Sequence, residues 1–259
     1  MVIKLNTEKL KRARLPVAFL FLAVFAVSAF VLSYGGKFIP ANATNGGQPV
    51  IILDAGHGGA DSGCIGINGE LEKDINLAIV KDTAALLRAA GFTVIQTRDS
   101  DVSIYTKGTE GLRAQKVSDM ENRKAIIDKY PDSIFISVHQ NKFVEPQYYG
   151  GQMFYTENNA DNVRLARVMQ GYFKEYLDST NERDVKLIDN GLYLFKSTEQ
   201  PALMIECGFL SNPKDAANLS DTEYQKKTAF VIFKGIISYL GGEQGDEAYA
   251  ENDGTLQMR

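Results

Sequence analysis

Apolar residues along this chain follow two spacings, and the alternation between them sets the fold class. Apolar runs over residues 50–53, 134–138 (broken only by Ser137) and 202–205 read as buried strands. Residues 92–97, 152–156 and 192–195 read as three more. Helical spacing separates them. Over residues 72–90, Ile75, Ile79, Leu86 and Leu87 fall near one face, and Gly91 supplies the stop. Residues 113–129 read as a helix ended by Pro131. Residues 161–177 place Val163, Ala166, Met169, Phe173 and Tyr176 on an inner face. Ser220-Asp221-Thr222-Glu223 has the form of a capping box and opens a last helix reaching Leu240. Strands alternating with helices predict an α/β fold, a three-layer α/β sandwich with a mostly parallel central sheet.

Before this pattern begins, residues 15–34 contain no charged side chain. Twenty residues of helix span about 30 Å, the thickness of a bilayer's hydrocarbon core. Residues 1–14 carry Lys4, Lys9, Lys11, Arg12 and Arg14 against Glu8. That basic flank keeps the N-terminus in the cytoplasm and exports the rest of the chain. The expected layout is a basic segment 1–14, a membrane anchor or signal segment 15–34, a linker 35–48, a single domain 49–241, and a disordered acidic tail 242–259. Ala41-Asn42-Ala43 has the form of a signal cleavage site but lies well past the apolar run, which favours an uncleaved anchor. Residues 15–259 hold 23 basic and 31 acidic side chains, a net charge of −8. An acidic body argues against a nucleic-acid partner, whose phosphates need a basic footprint.

The candidate chemistry sits where the strands end. The chain has two histidines, and each follows an apolar run: His57 within Asp54-Ala55-Gly56-His57-Gly58-Gly59, and His139 before Gln140-Asn141. A third run leads into Glu206-Cys207-Gly208. Ligands of open α/β sheets bind at the carboxyl ends of strands. Glu70 or Glu72 could add a carboxylate. Two histidines, one carboxylate and an open position suit a catalytic zinc. Alone, His57 would read as a loop histidine in a glycine-rich turn, and Glu72 as a helix-start carboxylate favoured by the macrodipole. Glu206 resists a bland reading, because an unpaired carboxylate ending an apolar strand is costly to bury.

DAGHGG, ELEKDIN, SVHQN and ECGFLSNP, in this order, resemble the motifs of the zinc-dependent N-acetylmuramoyl-L-alanine amidases of the type-3 family. The resemblance covers about residues 49 to 241. It implies that His57, Glu72 and His139 bind one zinc per chain, and that Glu206 is the catalytic carboxylate. Glu72 is preferred to Glu70 because it is the Glu of a Glu-Lys pair fifteen residues after the first histidine, as in the family. The implied substrate is peptidoglycan, cut between N-acetylmuramic acid and L-alanine outside the cytoplasmic membrane. The short single-domain layout also resembles the subgroup acting on spore peptidoglycan. A partner protein that gates metal loading is left open. Cys207 stands where the family usually has Thr or Val, and Cys64 where a small residue is usual; neither removes a ligand.

Other residues carry weaker signals. Asp54 is expected to orient an imidazole, and Asn141 to form a turn or bond to substrate. Arg98 and Arg123 match basic positions of the family, though surface salt bridges explain them almost as well. Tyr148 and Tyr149 could line a groove. Cys64 and Cys207 are expected to be unpaired rather than bridged. Two readings compete with a zinc amidase. One is a non-haem iron oxygenase, which also uses two His and one carboxylate. The other is a wall-binding protein without catalysis.

Overall fold

The computed structural model describes residues 48–188 and 192–243. Six strands form one sheet: β1 (Ile51–Ala55), β2 (Val94–Gln96), β3 (Ile134–Asn141), β4 (Gln152–Tyr155), β5 (Lys186–Leu187) and β6 (Ala202–Phe209). Their order across the sheet is β2-β1-β3-β6-β4-β5. β1 runs parallel to β2 and β3, and β3 parallel to β6. β4 pairs antiparallel with β6, and β5 parallel with β4. The sheet is therefore mostly parallel, as expected, with the last two strands reversed. The helices among the described residues are α1 (Glu72–Ala89), α2 (Leu112–Asp128), α3 (Asn162–Tyr176), α4 (Tyr193–Lys196), α5 (Pro213–Ser220) and α6 (Thr222–Leu240).

The two-residue period of a strand sorts its side chains between faces. Leu53, Ile136, Val138, Leu203 and Ile205 join the larger core with α1, α3 and α6. Ile52, Phe135, Ala202 and Met204 join a smaller core with Ile127 of α2 and Leu194 and Phe195 of α4. Helices thus cover both faces, which gives three layers. The same alternation puts Asp54, Ser137, His139 and Glu206 on the smaller-core face. There they lie beyond the apolar positions, toward the carboxyl ends of β1, β3 and β6. Register sets Asp54 beside Ser137, and His139 beside Glu206.

Local structure departs from expectation in four places. Residues 192–195 do not form a strand; Tyr193–Lys196 is one helical turn that drives Leu194 and Phe195 into the smaller core. The last helix is capped by Asp221, which accepts from the Tyr224 N–H at 2.8 Å. Ser220 instead donates back to the Ala216 carbonyl, so the capping box is not used. In α3, Leu165 and Val168 are buried, whereas Val163 and Tyr176 are half-buried. The short β5 and α5 have no counterpart among the expected elements.

The segments 1–14 and 15–34, the linker 35–48 except Gln48, and the tail from residue 244 lie outside the described residues. Among the described residues, no helix is long and apolar enough to cross a membrane.

Candidate metal and proton-transfer site

β1 ends in a backbone that sequence preference opposes. His57 has φ of +63°, the one non-glycine residue in the left-handed region among those described. Such a conformation costs on the order of 1–3 kcal/mol and persists only where its surroundings impose it. Two buried arginines impose it by gripping successive carbonyls. Arg98 donates to the carbonyls of Ala55 (2.9 Å), Gly56 (3.0 Å) and Lys73 (2.8 Å). Arg123 donates to Ala55 (2.9 Å) and to His57 itself (2.7 Å). Gly56 is required by space. A Cβ there would lie 2.2 Å from the His139 ring.

Glu72 opens α1 and is 3% exposed. Its Oε2 accepts from the Cys64 N–H at 2.8 Å. Its Oε1 accepts from the Gln140 N–H at 3.1 Å. Oε1 also lies 2.9 Å from His139 Nδ1 and 3.2 Å from His57 Nε2. Burial pushes this carboxyl up, but the hydrogen bonds and charges of both imidazoles outweigh it and hold it far below the usual carboxylate range. Burial works against a charged His139, and Glu72 more than offsets it, so the His139 imidazole is raised. Asn76, one turn along α1, donates to the Gly56 carbonyl and to Glu72.

Glu206 has different surroundings. Its Oε2 is buried without a hydrogen-bond partner among the described residues. Burial raises the carboxyl to about 7, against the pull of His139. It can therefore exchange a proton near neutrality.

One oxygen of Glu72 thus lies between two imidazole nitrogens, and the three donor atoms fall within 4.8 Å of one another. An anionic carboxylate and two imidazoles, which bind metal in their neutral form, are a donor set that suits zinc, so the residues fit the metal the sequence implies. His57, His139 and Glu206 open together onto a cavity of about 540 Å³, which Met120, Leu194 and Phe195 also line.

The other sequence candidates separate. Asp54 does not touch an imidazole. It accepts from Ser137, Thr97 and Arg123, and this buried network holds it down to about 2, burial notwithstanding. Arg98 and Arg123 are not surface residues but 3% and 2% exposed. Glu70 caps a turn at Asn68. The Asn141 side chain accepts from the next residue's N–H, so it is a turn former. Tyr148 packs on Phe143 and Phe209, and Tyr149 bonds to the Thr180 carbonyl, both outside the cavity lining. Cys64 and Cys207 are unpaired.

Comparison with known proteins bears on the family and the fold. The family model described as N-acetylmuramoyl-L-alanine amidase matches residues 51–238. The germination-specific N-acetylmuramoyl-L-alanine amidase of Bacillus subtilis (strain 168) is 36% identical over 197 residues, which are 76% of this chain and 81% of that protein. The CwlD amidase from Clostridioides difficile, solved in complex with the GerS lipoprotein, has a TM-score of 0.73 at 40% identity, covering 76% of this chain and 100% of that one. The amidase AmiC2 of Nostoc punctiforme has a TM-score of 0.63 at 28% identity, covering 74% and 97%. With the family model spanning nearly all of the α/β domain, the chain belongs to the N-acetylmuramoyl-L-alanine amidase family.

Proposed function

We propose that His57, Glu72 and His139 hold one zinc ion, and that Glu206 carries the proton in hydrolysis of the amide between N-acetylmuramic acid and L-alanine. The activity itself, peptidoglycan hydrolysis, is that of the family. The observation carrying the residue assignment is the position of Glu72 Oε1 between the two imidazole nitrogens. When bound, zinc supplies a water of lowered pKa and polarises the carbonyl. Glu206, raised to about 7, takes a proton from the attacking water and returns it to the departing alanine amine. Its buried Oε2 meets no hydrogen-bond donor among the described residues, so no N–H or O–H at that oxygen holds the carboxyl in its charged form. Asp54 and Ser137 lie deeper along the same strand face and do not compete for the proton.

The oxygenase reading is set aside, because the chain has the amidase family's α/β sheet and a further carboxylate at the site that oxygen chemistry does not use. Incubating the zinc-loaded domain with purified peptidoglycan, followed by mass spectrometry of the fragments, tests the proposal. Muramic acid freed of its peptide, and lost on chelation, is expected. Intact muropeptides would refute it.

The substrate lies outside the cytoplasm, so the domain acts there. Residues 15–34 would anchor or export it, and a reporter fused after Arg259 that works only in the cytoplasm would contradict this. Germination in the name of one relative supports spore peptidoglycan as the substrate. A lipoprotein in complex with another relative makes a lipoprotein the natural candidate for a partner of this chain.

A further inference from the structure

His57 meets carboxylates at both ring nitrogens. Nε2 lies 3.2 Å from Glu72 Oε1, and Nδ1 lies 3.0 Å from Asp61 Oδ2. The second contact is built into the loop. Gly58 and Asp61 exchange two backbone hydrogen bonds, at 2.9 and 3.1 Å, which close a tight turn. The turn returns the Asp61 side chain to the ring of the residue just before Gly58. Asp61 Oδ1 accepts from the Gly63 N–H at 3.3 Å, and Lys116 of α2 reaches Oδ2 at 3.2 Å. The carboxylate is thus tethered from its own loop and from α2.

His139 is arranged the other way round. It turns Nδ1 toward Glu72, and the rest of its ring is pressed against Gly56, where not even a Cβ would fit. The two imidazoles therefore present different nitrogens to the same carboxylate oxygen. A ligating imidazole whose other nitrogen donates to a carboxylate has its tautomer and ring plane fixed, and its basicity raised. His139 gets its orientation from packing. His57, on a backbone in the left-handed region, is also packed, since a Cβ on Gly63 would lie 2.7 Å from its Cδ2, but of the two it is the one with a second carboxylate, Asp61, at its other nitrogen.

We propose that Asp61 is a positioning residue that fixes the His57 tautomer carrying its proton on Nδ1, so that Nε2 is offered to the metal. The inference rests on the zinc assignment made above. It adds that zinc affinity depends on a carboxylate that never touches the ion.

The test is zinc affinity by chelator competition for the wild-type chain, Asp61→Ala and Asp61→Asn, with thermal unfolding of each metal-free protein and nitrogen-15 NMR of the imidazoles. Loss of the outer carboxylate is expected to weaken zinc binding about 10- to 100-fold. Asp61→Asn keeps an acceptor for the Nδ1 proton and should recover much of the loss. In the wild type, His57 should carry its proton on Nδ1; in Asp61→Ala that signature should give way to mixed tautomers. A merely structural Asp61 would lower the melting temperature and leave affinity and tautomer unchanged, which would overturn the proposal. Should Asp61→Ala not fold, the tautomer in wild type and the affinity of Asp61→Asn still decide, since a His57 proton on Nε2 rules the proposal out. If instead the wild-type chain binds no zinc, the metal assignment itself fails.

Discussion

Glu72 and Glu206 face the same site from two sides, and their surroundings shift their protonation in opposite directions. Glu72, at the start of α1, is met by the N–H groups of Cys64 and Gln140 and by both imidazoles. Glu206, on β6, keeps an oxygen with no partner among the described residues. Burial pushes both carboxyls up. What differs is the supply of donors, which holds Glu72 anionic and leaves Glu206 at about 7. Burial alone therefore does not set the role of a carboxylate; the hydrogen bonds and charges of the groups aimed at it do. The anionic one is suited to a metal, and the one near 7 to moving a proton.

The largest effects are expected on the Glu72 side. His139→Ala or Glu72→Gln removes a ligand and should abolish most zinc binding and turnover, with a cooperative unfolding transition retained because the two cores are apolar. Zinc analysis beside urea unfolding checks this. Full zinc occupancy in either variant would dissolve the contrast between the carboxylates.

A smaller effect is expected from Gly56→Ala, which removes no ligand. Its Cβ would fall 2.2 Å from the His139 ring, so the imidazole must shift from Glu72. Weaker zinc binding, by about 10-fold or more, should accompany a stability loss of about 1–3 kcal/mol. An unchanged affinity would mean that His139 can bind metal from another position.

The smallest effect separates the network beneath the site from the site itself. Asp54 is held at about 2, below the ordinary 3.8 of an aspartate. A depressed carboxylate contributes stability that is fully present above the unfolded pKa and is lost as pH falls through the folded one. Wild type should thus lose about 1 kcal/mol of its advantage over Asp54→Asn between about pH 4 and pH 3. Urea titrations at the two pH values measure it. A pH-independent difference would mean that Asp54 is not ionised in its pair with Arg123.

Much of this arrangement is legible in the sequence. The runs ending at His57, His139 and Glu206 are strands of one sheet, and their motifs meet at one edge. The strand period holds a further signal. Asp54, Ser137, His139 and Glu206 alternate with apolar residues, which puts all four on one face. Arg98 and Arg123 are harder to place, because their partners include backbone carbonyls of a loop 42 to 68 residues away in sequence. The one signal available is Asp54 itself, an acidic residue inside an apolar strand that needs a buried cation. Residues 192–195 mislead because four residues dominated by apolar side chains fit a strand or a helical turn equally well. α5 does have a signal, with Asn212 capping and Pro213 in the first turn, but it sits inside a motif whose Glu206 draws attention to chemistry instead. The left-handed backbone of His57 cannot be foreseen, since tertiary contacts from two arginines impose it.

The division between the two carboxylates is tested most directly by Glu206→Gln, with zinc content and turnover measured on the same sample. Glutamine keeps the size of the side chain but cannot carry the proton. Zinc per chain should equal that of the wild type, and turnover on peptidoglycan should fall by about 10²- to 10⁴-fold. Zinc lost from Glu206→Gln, with activity returning on added zinc, would make Glu206 a ligand and contradict the account.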